Sequence, residues 1–128
     1  MDTYRISNDK KTLFIQKYHV SFKDDINTVL TFPDIHVIQL QNHFYVNGQP
    51  GCDMSKQPLN NVYGIDKKCN IIWNIKQITA KHLGIQPDEF YSAVTMLSDS
   101  LLRLFAFRCI SFDIDINTLS VVYKAFTK

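Results

Sequence analysis

Neutral imidazole is a common metal ligand and a ready acid–base group near pH 7, so the four histidines come first: His19, His36, His43 and His82. None stands in an H-x-H, H-E-x-x-H or mixed His/Cys spacing that would set two ligands side by side. His36 and His43 flank an expected hairpin and could approach each other, but two ligands without a third rarely hold a metal. Asp113 and Asp115 lie on one face of an expected strand, and paired carboxylates can act as acid and base. Asp115 is better explained as the opener of a turn, and Asp113 as a solvent-facing strand residue. The cysteines Cys52, Cys69 and Cys109 are odd in number and lack a C-x-x-C spacing, which argues against a disulfide framework or zinc site. Cys109 lies in an apolar run, where a structural thiol is the default. Cys52 and Cys69 fall in a loop and a turn without an activating neighbour. No G-x-S-x-G, P-loop or G-x-G-x-x-G occurs. The residues therefore predict no catalytic group, no metal and no cofactor.

The aromatics Phe44, Tyr45, Tyr63, Trp73, Phe105, Phe107 and Phe112 could form a stacking platform for bases or sugars. Period-two strands bury one face, so core positions are expected for most of them. The formal charge is +2 and the sequence pI about 8.4, with no clustered basic face beyond the pairs Lys10-Lys11 and Lys67-Lys68. A nucleic-acid partner is not expected on that balance. No run approaches the roughly 18 apolar residues of a membrane helix, and the polar first residues carry no secretory h-region. Reduced thiols and no leader predict a cytoplasmic protein.

The elements that must hold these residues are strands. Glu89 is the only Glu, Ala is scarce, and Ile, Val, Phe and Tyr are abundant, a balance that disfavours helix. At 128 residues a single domain spanning 1–128 is expected, with 1–11 a loosely ordered lead-in. Strand candidates are 12–18, 29–32, 35–40 and 43–46, with turns at Asp24-Asp25, Pro33-Asp34, Gln41-Asn42 and Asn47-Gly48. Residues 49–60 and 76–90 read as irregular loops, the second with a turn of helix around 79–83. Two readings compete over 88–107. Pro87-Asp88-Glu89 resembles a helix start, and Phe90, Val94, Leu97, Leu101 and Leu104 recur at helical spacing. Alternatively 91–97 and 101–109 are strands joined by Ser98-Asp99-Ser100, a poor helix interior.

Two hairpins repeat one pattern. Val62-Tyr63-Gly64-Ile65-Asp66, a turn, then Ile71-Ile72-Trp73 matches Ser111-Phe112-Asp113-Ile114-Asp115, a turn, then Val121-Val122-Tyr123. An Asp opening a turn accepts backbone N–H bonds, and the aromatic after it can pack over the facing strand. Trp73 is expected to be a core anchor.

The patterns N-V-Y-x-I-D-x-x-x-N-I-x-W-x-I (61–75) and F-x-I-D-x-x-T-x-x-V-V (112–122), together with Ile26, Val29, Phe32, Asp34, Val37, Ile38 and Leu40, resemble a group of small bacterial β proteins. Their hairpins look like single blades of quinone-type propellers. The resemblance covers roughly residue 20 onward. In that group the turns usually read D-x-x-G and D-x-x-T-G, whereas Cys69-Asn70 and Leu119-Ser120 stand here where glycine is usual. The resemblance tips 101–109 towards strand.

The fold expected is mainly β, with antiparallel hairpins forming a twisted sheet or small sandwich of seven or eight strands and at most one short helix. Complete propeller closure needs far more chain. Some proteins of the resembling group look like immunity proteins of secreted toxins, including those of contact-dependent inhibition. That implies a non-enzymatic partner: a protein that binds a cognate toxin domain and occludes its active site, as a monomer or an edge-strand dimer. An inhibitor of a basic toxin is often acidic, and the acids Asp24, Asp25, Asp34 and Asp53 all lie in the first half. Loop position nominates Asp53, Asp88, Glu89 and Tyr91 as partner contacts. The alternative is a carbohydrate or small-ligand binding β module.

Overall fold

The computed structural model of the chain describes residues 3–42, 44–46, 49–51, 56–82, 88–107 and 110–126. In chain order the elements are β1 (Arg5–Ile6), β2 (Thr12–Ile15), β3 (Tyr18–Ser21), β4 (Ile26–Thr31), β5 (Ile35–Leu40), β6 (Phe44–Val46), β7 (Gln49–Gly51), β8 (Val62–Asp66), β9 (Ile71–Asn74), α1 (Ile75–His82), β10 (Tyr91–Met96), β11 (Leu101–Ala106), β12 (Ile110–Asp115) and β13 (Ser120–Phe126). The protein is mainly β and antiparallel with one short helix among the described residues, as the composition predicts. Its strands are shorter and more numerous than the seven or eight expected.

All six residues of β5 are buried, so β5 must have a layer on each side. Ile35 and Val37 join one cluster with Val62, Trp73, Tyr91, Leu102, Leu104, Phe112 and Ile114. Ile38 and Leu40 join another with Leu13, Ile15, Ile26, Ile65 and Cys69. The period-two side-chain alternation of a strand sorts these residues to opposite faces. The central sheet, ordered β4-β5-β8-β9, thus lies between the meander β10-β11-β12-β13 and the small sheet β1-β2-β3. The hairpin β6-β7 forms a fourth, two-stranded sheet.

Three local expectations change. The strand expected over 12–18 breaks at Gln16, whose φ of 54° turns the chain so that Tyr18 pairs back onto Ile15. The lead-in expected to be loose carries β1, in which Arg5 pairs with Phe14 and Ile6 with Leu13. The Arg5 guanidinium also lies over the Phe14 ring, 4.3 Å from its centroid. The loop expected over 49–60 opens as a strand, with Tyr45 opposite Pro50. Over 88–107 the strand reading holds: β10 and β11 pair across Ser98-Asp99-Ser100.

The helix begins four residues before the expected position. Asn74 caps it: its Oδ1 accepts the Lys76 N–H at 3.1 Å, while Gln77 Oε1 reaches back to the Asn74 N–H at 2.8 Å. This reciprocal pair is a capping box written as Asn-x-x-Gln. Ile75, Ile78 and Thr79 form the buried stripe at one- and three-residue spacing. The helix packs on β9 and on β13 and so closes one side of the space between the two large sheets.

The repeated hairpins agree down to backbone detail. Asp66 Oδ1 accepts the N–H groups of Lys68 and Asn70, both at 2.9 Å. Asp115 Oδ1 accepts those of Asn117 and Thr118 at 2.8 and 3.1 Å. Each turn then passes through a left-handed residue, Cys69 at φ 64° and Leu119 at φ 57°. Glycine adopts this conformation freely, so Cys69 and Leu119 hold the turn geometry at a strain cost of about 1–2 kcal/mol each. A bulge follows at the same place in both copies: β9 slips between Gly64 and Ile65, and β13 between Asp113 and Ile114. The extra residues, Ile72 and Val122, are 47% and 55% exposed.

The copies diverge at the aromatic. Trp73 is buried, and its indole lies across Gly64, the residue directly opposite it; a Cβ at Gly64 would enter the ring. Tyr123 faces Asp113 instead and is 54% exposed. Trp73 is therefore the core anchor expected of it, and Gly64 is the space that admits it.

Gly64→Ala should lower the unfolding free energy by about 1–3 kcal/mol through overpacking against Trp73, readable as a shifted urea midpoint and altered tryptophan emission. Asp66 yields a pH prediction. Its carboxyl is held below the ordinary aspartate value of 3.8, first by the Asn70 backbone N–H, then by the Asn70 side chain and the Lys68 N–H. A depressed folded-state value stabilises fully above 3.8, and the contribution is lost as pH falls through the folded value. Asp66→Asn should accordingly flatten the acid side of a midpoint-against-pH curve below that point.

Candidate functional site

The loop residues nominated as partner contacts separate in the structure. Asp53 lies outside the described residues. Asp88 is exposed and pinned, accepting from Asn60 Nδ2 at 3.1 Å and pairing with Lys76 Nζ at 3.1 Å. Those two partners, Asn60 first, hold its carboxyl below the usual range. Glu89 is buried at 7% exposure and Tyr91 at 2%, so neither side chain is offered to a partner. The reason is β10: it starts at Tyr91, and its first inward residue packs on Phe112 in the core. Burial raises the Tyr91 phenol well above its ordinary value. A short polar stretch after a proline reads as loop, yet it delivers the chain into the core within a few residues.

The other candidates resolve similarly. His36 is fully buried with Thr31 Oγ1 3.1 Å from its Nδ1, while His43 lies outside the described residues. Cys69 is buried, and burial is the main cause that raises its thiol, which makes it a poor nucleophile. Cys52 and Cys109 lie outside the described residues. Among the aromatics Trp73 and Phe112 are core, Tyr63 and Phe105 are half-buried, and Phe107 is 52% exposed. The side chains of Phe44 and Tyr45 lie outside the described residues. Among the described residues no three His, Cys, Asp or Glu side chains come together as a metal site.

Asp113 departs most from expectation. It does not face open solvent. Arg103 sits directly opposite it across β11 and β12 and grips it with two bonds, Nε to Oδ1 at 2.7 Å and Nη2 to Oδ2 at 2.9 Å. The carboxylate holds the guanidinium even more firmly protonated. The Asp113 side chain is only 10% exposed and that of Arg103 36%.

The sheet register extends this pair into a row across four strands. Thr95 faces Arg103, Arg103 faces Asp113, and Asp113 faces Tyr123. The flanking row runs from Ala93 through Phe105 to Ser111. These residues share the side of the sheet turned away from the core cluster, since Val94, Leu104, Phe112 and Ile114 between them point inward. The face is thus a planar Arg–Asp fork with exposed Tyr123 and Thr95 at its ends and half-buried Phe105 beside it. Arg, Tyr and Phe are the side chains enriched where proteins meet proteins, and Lys and Glu do not occur in either row. The sequence pattern singles out Asp113 but not Arg103. The signal was available: a hairpin joining 101–106 to 110–115 through 107–109 sets Arg103 opposite Asp113.

A small layered antiparallel β protein with one amphipathic sheet face is the class that the fold and this face define. The chain belongs to the family described as a domain of unknown function (DUF7957), whose model matches residues 3–126. No curated protein matches it. No helix among the described residues is long and apolar enough to cross a membrane.

The burial asymmetry of the fork predicts an asymmetry on mutation. Arg103→Ala strands a nearly buried carboxylate and should cost about 1–3 kcal/mol. Asp113→Ala leaves a guanidinium that water can reach and should cost less, within about 1 kcal/mol. Chemical denaturation of both single variants and the double variant measures the coupling, which should be favourable.

Proposed function

We propose that this chain is an immunity protein: a cytoplasmic, non-enzymatic inhibitor that binds a cognate bacterial toxin domain and occludes its active site. The observation that carries this reading is the outer face of the β10–β13 sheet. It presents a pre-paired Arg103–Asp113 fork, Phe105 and exposed Tyr123 on a backbone fixed by three antiparallel strand pairings. Because Asp113 already holds the guanidinium in place, little side-chain freedom is lost when a partner covers it. Two of the four acids expected to steer a basic toxin are engaged: Asp25 by Lys11 at 2.6 Å and Asp24 by Asn42 at 2.8 Å. Contact through the sheet face therefore fits a toxin surface that is not strongly basic. The protein acts as a monomer, or as an edge-strand dimer through β13, without nucleic-acid or membrane partners.

Co-expression with a toxin encoded directly upstream tests the reading. Cells carrying the chain should survive, and the two proteins should co-elute from a sizing column. Thr95→Arg and Tyr123→Ala alter exposed side chains on the face and should leave the circular dichroism unchanged. Each should weaken the complex by about 2 kcal/mol, roughly thirtyfold in Kd. Death of cells that carry the unaltered chain, with no complex on the column, overturns the proposal.

A further inference from the structure

A crevice of about 250 Å³ opens where α1 meets β9 and the turn between β12 and β13. Its apolar walls are Ile72, Trp73, Ile78 and Leu119, and its polar groups come from Gln77, Lys81 and Thr118. No carboxylate lines it, and its charged group is the ammonium of Lys81. Gln77 has its oxygen occupied by the Asn74 N–H, which leaves its amide nitrogen as the group able to bond a ligand. The Trp73 indole N–H is buried over Gly64, so Trp73 contributes apolar ring surface rather than a donor. The crevice is therefore apolar-walled and rich in donors. Two local irregularities of the fold build it: the bulge that turns Ile72 outward, and the left-handed turn residue Leu119 at φ 57°. A leucine kept in a conformation that favours glycine is backbone strain held at the wall of a cavity.

We infer that this crevice binds a small apolar carboxylic acid, with its hydrocarbon part against Ile72, Trp73, Ile78 and Leu119 and its carboxylate on Lys81 Nζ and Gln77 Nε2. The volume is below that of drug-sized pockets and suits a ligand of on the order of ten non-hydrogen atoms. The site is distinct from the Arg103–Asp113 face, and it stands whether or not the chain neutralises a toxin.

The single tryptophan gives the test one indole signal. Titrate the full chain, labelled with nitrogen-15, with 3-phenylpropionate and in parallel with the uncharged 3-phenylpropanamide. The expected result is a saturable shift of the Trp73 indole resonance, with the amide probe at least about tenfold weaker, the factor a lost ion–ammonium contact gives. Lys81→Met should bring the acid down to the affinity of the amide. Leu119→Gly relieves the left-handed strain, so it keeps the fold, and it removes an apolar wall, so both probes should weaken. Shifts that do not saturate, that saturate only at resonances remote from Trp73, or that are unchanged in both Lys81→Met and Leu119→Gly overturn the inference.

Discussion

Strands β5 and β10 belong to different sheets and share no backbone ladder, yet side-chain amides tie them together. The Asn61 carboxamide accepts the Tyr91 N–H at 2.8 Å and donates to the Tyr91 carbonyl at 2.9 Å. It thereby imitates the two bonds of an antiparallel strand pair with one side chain. The same amide nitrogen donates to the Leu40 carbonyl at 2.6 Å, and Gln39 of β5 donates to Tyr91 as well, at 2.9 Å. Buried backbone groups must be paired, and a chain entering a sandwich from a loop has no ladder to pair with until its strand begins. Asn61 meets that need for Tyr91. Gln57 does the same for Asn42, accepting its N–H at 3.0 Å and donating to its carbonyl at 2.7 Å.

The layers follow from that clasp. With Tyr91 fixed over the end of β5, the meander β10–β13 lies on one face of the central sheet, and its inward residues complete the larger cluster. The clasp also sets which side of the meander is left open. One residue of slip in β10 would turn Thr95 inward and Val94 outward, removing Thr95 from the end of the Arg103–Asp113 row. The β10 edge of the sheet face proposed to meet a toxin thus depends on two amides some distance from it. The α1 crevice has a different origin. It exists because a capped helix, rather than a further strand, fills the side of the sandwich between β9 and β13.

The two hairpins show how one sequence pattern can serve two purposes. Both use an Asp to gather the turn's N–H groups, a left-handed residue and a bulge. What differs is the residue facing the aromatic across the strands. Opposite Trp73 it is Gly64, which leaves room for the indole to lie inward. Opposite Tyr123 it is Asp113, already held by Arg103, and the ring stays at the surface. A single position, glycine or aspartate, accompanies the difference between a core aromatic and an exposed one.

What the sequence determined by itself was local. Composition and period-two patterning place most of the strands, and the turn chemistry of Asp66 and Asp115 is legible because it acts over four residues. The role of Trp73 was legible too, since a lone tryptophan on an apolar strand has few alternatives. The start of α1 was legible in Asn74 and Gln77, but the apolar run ahead of them hid it. Tertiary structure alone decided the rest. Tyr91 and Glu89 read as loop contacts, yet they are buried, because burial depends on a clasp to Asn61 and on Phe112, partners about thirty and twenty residues away in the chain. Arg103 meets Asp113, and Lys81 comes to line one crevice with Thr118 and Leu119, only once register and helix packing bring distant segments together. Local bonding rules act within a few residues and can be read in order; sites are made by side chains that the chain order keeps apart.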